Sequence, residues 1–305
     1  MTIAFLLALL AGCGWLWTPD ESREALEARY APPPSQFLTV AGLRLHLRDT
    51  GPLNKDVQGP AVILLHGFGD SLLGWEPWAQ ALQAQFRVIR IDLPGAALTG
   101  PDPTGDYSDE RAVQILLGLM DQLGVAKASF IGHSMGGRIA WRFAADQPQR
   151  VDRLVLVAPD GYASPGFEYG KAPDVGPGLG LMRYVLPRVL VRMSLKPGYA
   201  DPSRITDEEV DRLWHLIRAP GVRGALLDRL RGWIPRDPTA FLGRITAPTL
   251  LMWGQQDGMI PVANAQDYLK AIAGSRLVTM PGVGHLPQQE APSESLPAVR
   301  DFLTH

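Results

Sequence analysis

Ser134 stands in the run Ile131-Gly132-His133-Ser134-Met135-Gly136-Gly137, with a glycine two positions away on either side. A serine so placed suits a sharp turn from strand to helix. There a strained backbone exposes the hydroxyl, and side chains at the flanking positions would collide. Such a hydroxyl becomes an acyl-transfer nucleophile if a base takes its proton and a carboxylate orients that base. Of the six histidines, His285 is the candidate base, because Pro281-Gly282-Val283-Gly284-His285 puts it on a loop directly after an apolar strand. Asp257 is the candidate carboxylate, on the loop that follows the strand ending at Trp253, where ligands meet open α/β sheets. Asp160 holds a comparable place one strand earlier and is the alternative. The chain order Ser134, Asp257, His285 is the one expected for a serine elbow on such a sheet.

Attack on a carbonyl creates an oxyanion that needs prearranged donors, each worth about 3 kcal/mol. The strand Ala61–Leu65 runs into His66-Gly67-Phe68-Gly69, whose glycines let amides turn toward the site. The backbone N–H groups of Phe68 and Met135 are the expected pair, with His66 as a scaffold for the loop. His133 is read as support for the serine turn, His46 and His305 as structural or surface residues, and His215 as a cap residue with a small claim on substrate.

These groups must be carried by alternating strands and helices. The expected strands are Phe37–Val40 and Leu43–Arg48 as a hairpin, then Ala61–Leu65, Phe86–Ile91, Ala128–Ile131, Leu154–Val157, Thr249–Trp253 and Arg276–Thr279. Helices are expected over Trp75–Gln85, Ser108–Leu123, Arg138–Ala145, Ala263–Ala273 and Ala291–Leu303, the last kinked or shortened by Pro297. This is an α/β protein with a mostly parallel sheet flanked by helices. From Asp160 to about Phe241 no strand pattern appears. Thr206-x-x-Glu209 is a capping box, and Pro220–Trp233 offers a helix with proline in its first turn. The organisation expected is a tethered segment over 1–36, a core over 37–160 and 242–305, and a helical cap over 161–241 inserted after the strand ending near Val157. The cap's many arginines fit solvated helix faces or contact with an anionic membrane surface.

The net charge of -2 gives no electrostatic case for nucleic acid, and no phosphate loop or zinc-type spacing occurs. No cofactor and no metal are expected; the partner is a small-molecule substrate. Met1 to Trp17 is almost wholly apolar and Pro32-Pro33-Pro34-Ser35 reads as a stiff tether. The apolar run is short for a bilayer span. Leu10-Ala11-Gly12-Cys13 resembles the lipobox of bacterial lipoproteins, without the usual basic residues before it. The expectation is attachment to a bacterial cell envelope, facing periplasm or exterior, with a cytoplasmic protein as the alternative.

From about Phe37 to Leu303 the chain resembles the α/β-hydrolase superfamily. The resemblance rests on the His-Gly oxyanion turn, the Gly-His-Ser-Met-Gly-Gly elbow, the Gly-x-x-Asp-x-x-x-Pro acid loop and the Gly-x-Gly-His base loop. The serine argues against haloalkane dehalogenases and epoxide hydrolases, which use aspartate. Carbon–carbon-bond hydrolases of the meta-cleavage product type usually place tryptophan after the catalytic histidine, whereas Leu286 follows here. Asp92-Leu93-Pro94-Gly95-Ala96-Ala97 lacks the second glycine common in that loop. The resemblance implies a serine carboxylester hydrolase, lipase-like; the cap's apolar residues, among them Leu179, Leu181, Tyr184, Leu186, Leu190 and Trp214, are read as an acyl-pocket lining or as ordinary cap packing. The alternatives are a carbon–carbon-bond hydrolase, a cofactor-free perhydrolase, and a ligand-binding protein that has lost turnover.

Overall fold

The computed structural model describes residues 17–53 and 59–305. An eight-stranded sheet forms its centre, with spatial order β1-β2-β4-β3-β5-β6-β7-β8. The strands are β1 (Ser35–Val40), β2 (Leu43–Thr50), β3 (Ala61–Leu65), β4 (Arg87–Ile91), β5 (Ala128–His133), β6 (Val151–Val157), β7 (Thr249–Gly254) and β8 (Arg276–Met280). The β1–β2 hairpin joins β4 antiparallel, and all pairs from β4 through β8 are parallel.

Both faces of a parallel sheet are covered, so its central strands read as continuous apolar runs. Along β3, Ile63 and Leu65 pack on one face and Val62 and Leu64 on the other. The first face is closed by helices α3 (Asp109–Gln122), α4 (Met135–Asp146) and α8 (Asn264–Ala271). The second is closed by α2 (Glu76–Leu82) and α9 (Pro292–Thr304), which carries Pro297 inside it without ending. The order reverses around β3, and the crevice beyond its carboxyl end is where such sheets bind ligands.

Between β6 and β7 lie α5 (Arg188–Leu195), α6 (Asp207–Ile217) and α7 (Val222–Gly232). Thr206 caps α6 as its sequence predicts, its hydroxyl accepting from Glu209 N–H at 3.1 Å. Helix α7 starts later than expected: Gly221, in the left-handed region at φ 78°, precedes it, and Pro220 lies outside. Five of the cap arginines are paired with carboxylates. Arg188 and Arg192 bind Asp207, Arg212 binds Asp70, Arg218 binds Glu21 and Arg223 binds Asp20.

Two of those partners expose a second difference. The stretch before β1 is a docked strap and not a free tether. Helix α1 (Arg23–Tyr30) buries Leu26 completely against Leu98, Leu216, Val222 and Leu226. Thr18 and Glu21 donate backbone N–H bonds to Tyr184 and Arg218 at 2.9 Å. Cys13 and the lipobox-like run lie outside the described residues. Among those described, no helix is long and apolar enough to cross a membrane.

Candidate active site

Strand β5 delivers Ser134 into a turn whose geometry explains its neighbours. Ser134 has φ 52° and ψ -118°, a strained conformation for a residue with a side chain. A Cβ on Gly132 would lie 2.3 Å from the Gly136 carbonyl oxygen, and one on Gly136 would lie 2.2 Å from that of Leu65. Only glycine fits either place. Ser134 N–H continues the ladder to Val157 at 3.0 Å, and its carbonyl accepts from Arg138 and Asp160, each at 3.0 Å. Its side chain makes no cap bond to α4, so the helix-cap role does not occupy the hydroxyl.

Asp257 and His285 meet at the ends of β7 and β8, with His285 Nδ1 donating to Asp257 Oδ2 at 2.7 Å. The other carboxylate oxygen of Asp257 accepts from Met259 and Ile260 N–H, both at 2.8 Å. One oxygen shapes the turn while the other orients the imidazole. His285 is buried, and its ring centroid lies 4.6 Å from that of His133, the residue before Ser134. The alternative carboxylate, Asp160, pairs with Arg138 at 3.3 Å instead of with a histidine.

His66 is a scaffold. Its Nδ1 donates to Gly67 O at 2.7 Å and its Nε2 accepts from Leu93 N–H at 2.9 Å. Both nitrogens are thereby assigned to the neutral ring, and burial pushes its pKa down, with the Asp92 charge opposing. The amides of Phe68 and Met135 carry no backbone hydrogen bond among the described residues. The loop after β4 meets its missing glycine by strain: Ala97 itself takes φ 42°. Among the described residues no group of His, Cys, Asp and Glu is arranged to hold a metal ion.

His46 is structural, as expected, and His215 takes no part in the site. His215 faces the strap, bonded to Glu21 and, at 2.8 Å, to Arg29, and not the site. His46 is buried against Asp92 at 2.7 Å, where Asp92 also accepts from Leu72 and Leu98 N–H and so pins the loop beside Ala97. The acyl-pocket lining needs correction: Leu179, Leu181, Tyr184 and Leu190 are exposed, whereas Leu186 packs inward beside Leu286. A cavity of about 570 Å³ opens beside Arg138, Trp141, Arg229 and Trp233, and Ser134 is not among its lining residues.

The profile of the α/β hydrolase fold family matches residues 60–182 and 192–292, well over half of the chain. The chain belongs to the α/β-hydrolase fold family. A 2-hydroxy-6-oxo-6-phenylhexa-2,4-dienoate hydrolase of Burkholderia cepacia is 31% identical over 290 residues, covering 89% of this hydrolase and 96% of that relative. A meta-cleavage product hydrolase from Pseudomonas fluorescens IP01 superposes with a TM-score of 0.75 at 26% identity, covering 88% of this chain and 97% of that one. The enol-lactonase from Burkholderia xenovorans LB400 gives the same TM-score of 0.75 at 26% identity, covering 88% of this chain and 100% of that one. The relatives from Burkholderia cepacia and Pseudomonas fluorescens are named hydrolases, and this protein is an α/β hydrolase.

One carboxylate beside the base loop escapes motif reading. Glu290 is buried and accepts backbone N–H bonds from Gly284 at 2.6 Å, Ala200 at 3.3 Å and Asp201 at 3.1 Å. His285 N–H, next along, donates to Gly198 O at 2.7 Å. Glu290 of this hydrolase therefore ties the base loop to the cap. In the sequence it is marked only as an acid five residues after the candidate base.

Proposed function

We propose that this hydrolase cleaves carboxylic esters of small to medium apolar acids through an acyl-enzyme on Ser134. The proposal is supported by the 2.7 Å bond from His285 to Asp257, together with the strained elbow that holds Ser134. Ser134 Oγ attacks the ester carbonyl as His285 Nε2 takes its proton, and Asp257 stabilises the resulting imidazolium. The amides of Phe68 and Met135 receive the oxyanion. As the tetrahedral intermediate collapses, the C–O bond to the alcohol breaks and His285 gives its proton to that oxygen. Water then attacks the acyl-enzyme with the same base, releasing the acid and restoring Ser134.

A second reading is hydrolysis of a carbon–carbon bond in a meta-cleavage type of product. The names of the relatives favour it over ester cleavage, although the enol-lactonase is named for a lactone, which is an ester. Two features favour the ester. Leu286 follows the base where tryptophan is usual in carbon–carbon-bond hydrolases. The cap cations Arg188, Arg192, Arg212, Arg218 and Arg223 are already matched to carboxylates, which leaves a dianionic substrate less to bind.

The test is a chain-length series of nitrophenyl esters alongside a vinylogous diketone acid, on wild type and Ser134→Ala. Ester turnover should fall by several orders of magnitude in the variant, because triad members act as a unit. Preferential turnover of the diketone acid would establish the second reading. Equal ester rates in both proteins would end the serine mechanism.

A further inference from the structure

We infer that the outer face of residues 179–193, together with Trp17, is a docking surface for a lipid bilayer, and that the ester cleaved is a lipid reached at that surface. The substrate class rests on the ester reading above; the docking itself does not.

The face is an unusual concentration of exposed apolar side chains. Trp17, Leu181, Val189 and Met193 are 56%, 59%, 58% and 55% exposed. Helix α5 divides sharply: Val191 is buried in the cap core while Val189 and Met193, one turn apart, point outward. Trp17 joins this stretch by direct contact. Its ring stacks on Tyr184 with centroids 5.8 Å apart, and the next residue bonds to Tyr184 O and Leu186 N–H. Contiguous apolar surface of this kind marks an interaction site in a soluble domain.

The chain itself names the occupant. Met1–Leu16 contains no charged residue, and it enters the fold at Trp17, on this face. A segment that apolar, joined at Trp17 to a patch that apolar, seeks the same medium. Tryptophan and tyrosine suit the level of lipid headgroups, where an apolar ring and a polar N–H or O–H are both satisfied. An amphipathic helix with one apolar face outward lies in that interface plane. The exposed cations Arg183 and Lys196 flank the patch, as anionic headgroups favour.

The surface also leads to the chemistry. The turn Lys196–Gly198 follows α5 directly, and Gly198 O accepts the N–H of His285 at 2.7 Å. Beside it, Met259 and Phe68 are further exposed apolar residues near the catalytic edge. This stretch thus connects the docking face to the backbone that holds the candidate base.

The test uses the full chain, wild type and the double variant Val189→Asp with Met193→Asp, with Leu53→Asp as an exposed control elsewhere. Flotation with vesicles of phosphatidylcholine and phosphatidylglycerol measures docking; a water-soluble short-chain nitrophenyl ester measures basal turnover. The double variant should lose about ten-fold or more in vesicle affinity while soluble-ester turnover and the control stay at wild-type levels. Hydrolysis of vesicle phospholipid should fall in parallel. Undiminished flotation of the double variant overturns the docking surface. A change of oligomeric state without vesicles makes a second copy the occupant. Protease protection of Met1–Leu16 that the variant removes makes that segment the occupant, and either outcome overturns the lipid assignment. Docking without any ester turnover by the wild type would sink the ester reading and leave the surface standing.

Discussion

The ring of His133 donates from Nε2 to the carbonyl oxygen of His285 at 2.9 Å, so the residue before the nucleophile reaches across to hold the base. Its sequence position suggested support for the serine turn alone. Burial pushes the His133 pKa well down, and the nearby His285 charge adds to that, so the ring stays a neutral donor when His285 becomes a cation. Replacing it with phenylalanine leaves the His285 carbonyl buried without this partner, a loss of about 1–3 kcal/mol. His133→Phe should unfold at lower denaturant and lose about ten-fold in kcat with KM nearly unchanged. A raised KM at constant kcat would show that the ring serves substrate binding instead.

Glu290 links the loop of His285 to the cap through three backbone amides. Glutamine at this position can offer one oxygen, and its amide N–H groups must face at least one of those donors. Glu290→Gln should therefore retain the fold while the Nδ1 proton of His285, seen far downfield by NMR through its bond to Asp257, broadens. Ester kcat should fall by roughly ten-fold, and labelling of Ser134 by a fluorophosphonate should slow equally. A sharp, unmoved proton resonance with unchanged labelling would refute the positioning role.

Much of this was legible in the sequence for definable reasons. Runs such as Ala61–Leu65 are buried on both faces and so read as strands without alternation. The elbow and the acid and base loops were legible because each needs glycines or strand ends at fixed offsets. What stayed hidden depends on distant partners. Helix α1 has one buried residue, Leu26, among arginines, glutamates, alanines and a tyrosine, so no period announced that it docks. The cap arginines looked free because Asp20, Glu21 and Asp70 are far away in the chain. Exposure of Leu181 and Leu190 was invisible too, since apolar composition does not say which face turns outward.

The strap yields its own prediction. Leu26 fills a pocket between the Ala97–Leu98 turn and cap helices α6 and α7, so it joins cap to core. Leu26→Ala should cost about 2–5 kcal/mol, as for other buried leucines. Because the loss lies between cap and core, hydrogen exchange should quicken in α6 and α7 and remain slow in β3 and β5. Uniform quickening would mean that the strap stabilises the molecule as one unit.

Asp160 makes stability depend on pH in an uncommon sense. Burial pushes its carboxyl from an ordinary 3.8 up to about 6; Arg138 opposes this, while Asp109, which shares that arginine, adds a like charge. The folded chain thus holds this proton more tightly than the unfolded chain does. Stability from this group is fully present below the unfolded value, and it declines as pH rises from about 4 to about 6. The side chain is only 18% exposed, so the full excursion is on the order of 3 kcal/mol. Asp160→Asn cannot titrate, and carboxylates remote from Arg138 cancel when the two proteins are compared. Urea unfolding of both across pH 4 to 7 should show the stability of wild type relative to the variant falling by about that amount. A difference that stays level, or grows with pH, would mean that Arg138 keeps Asp160 ionised throughout.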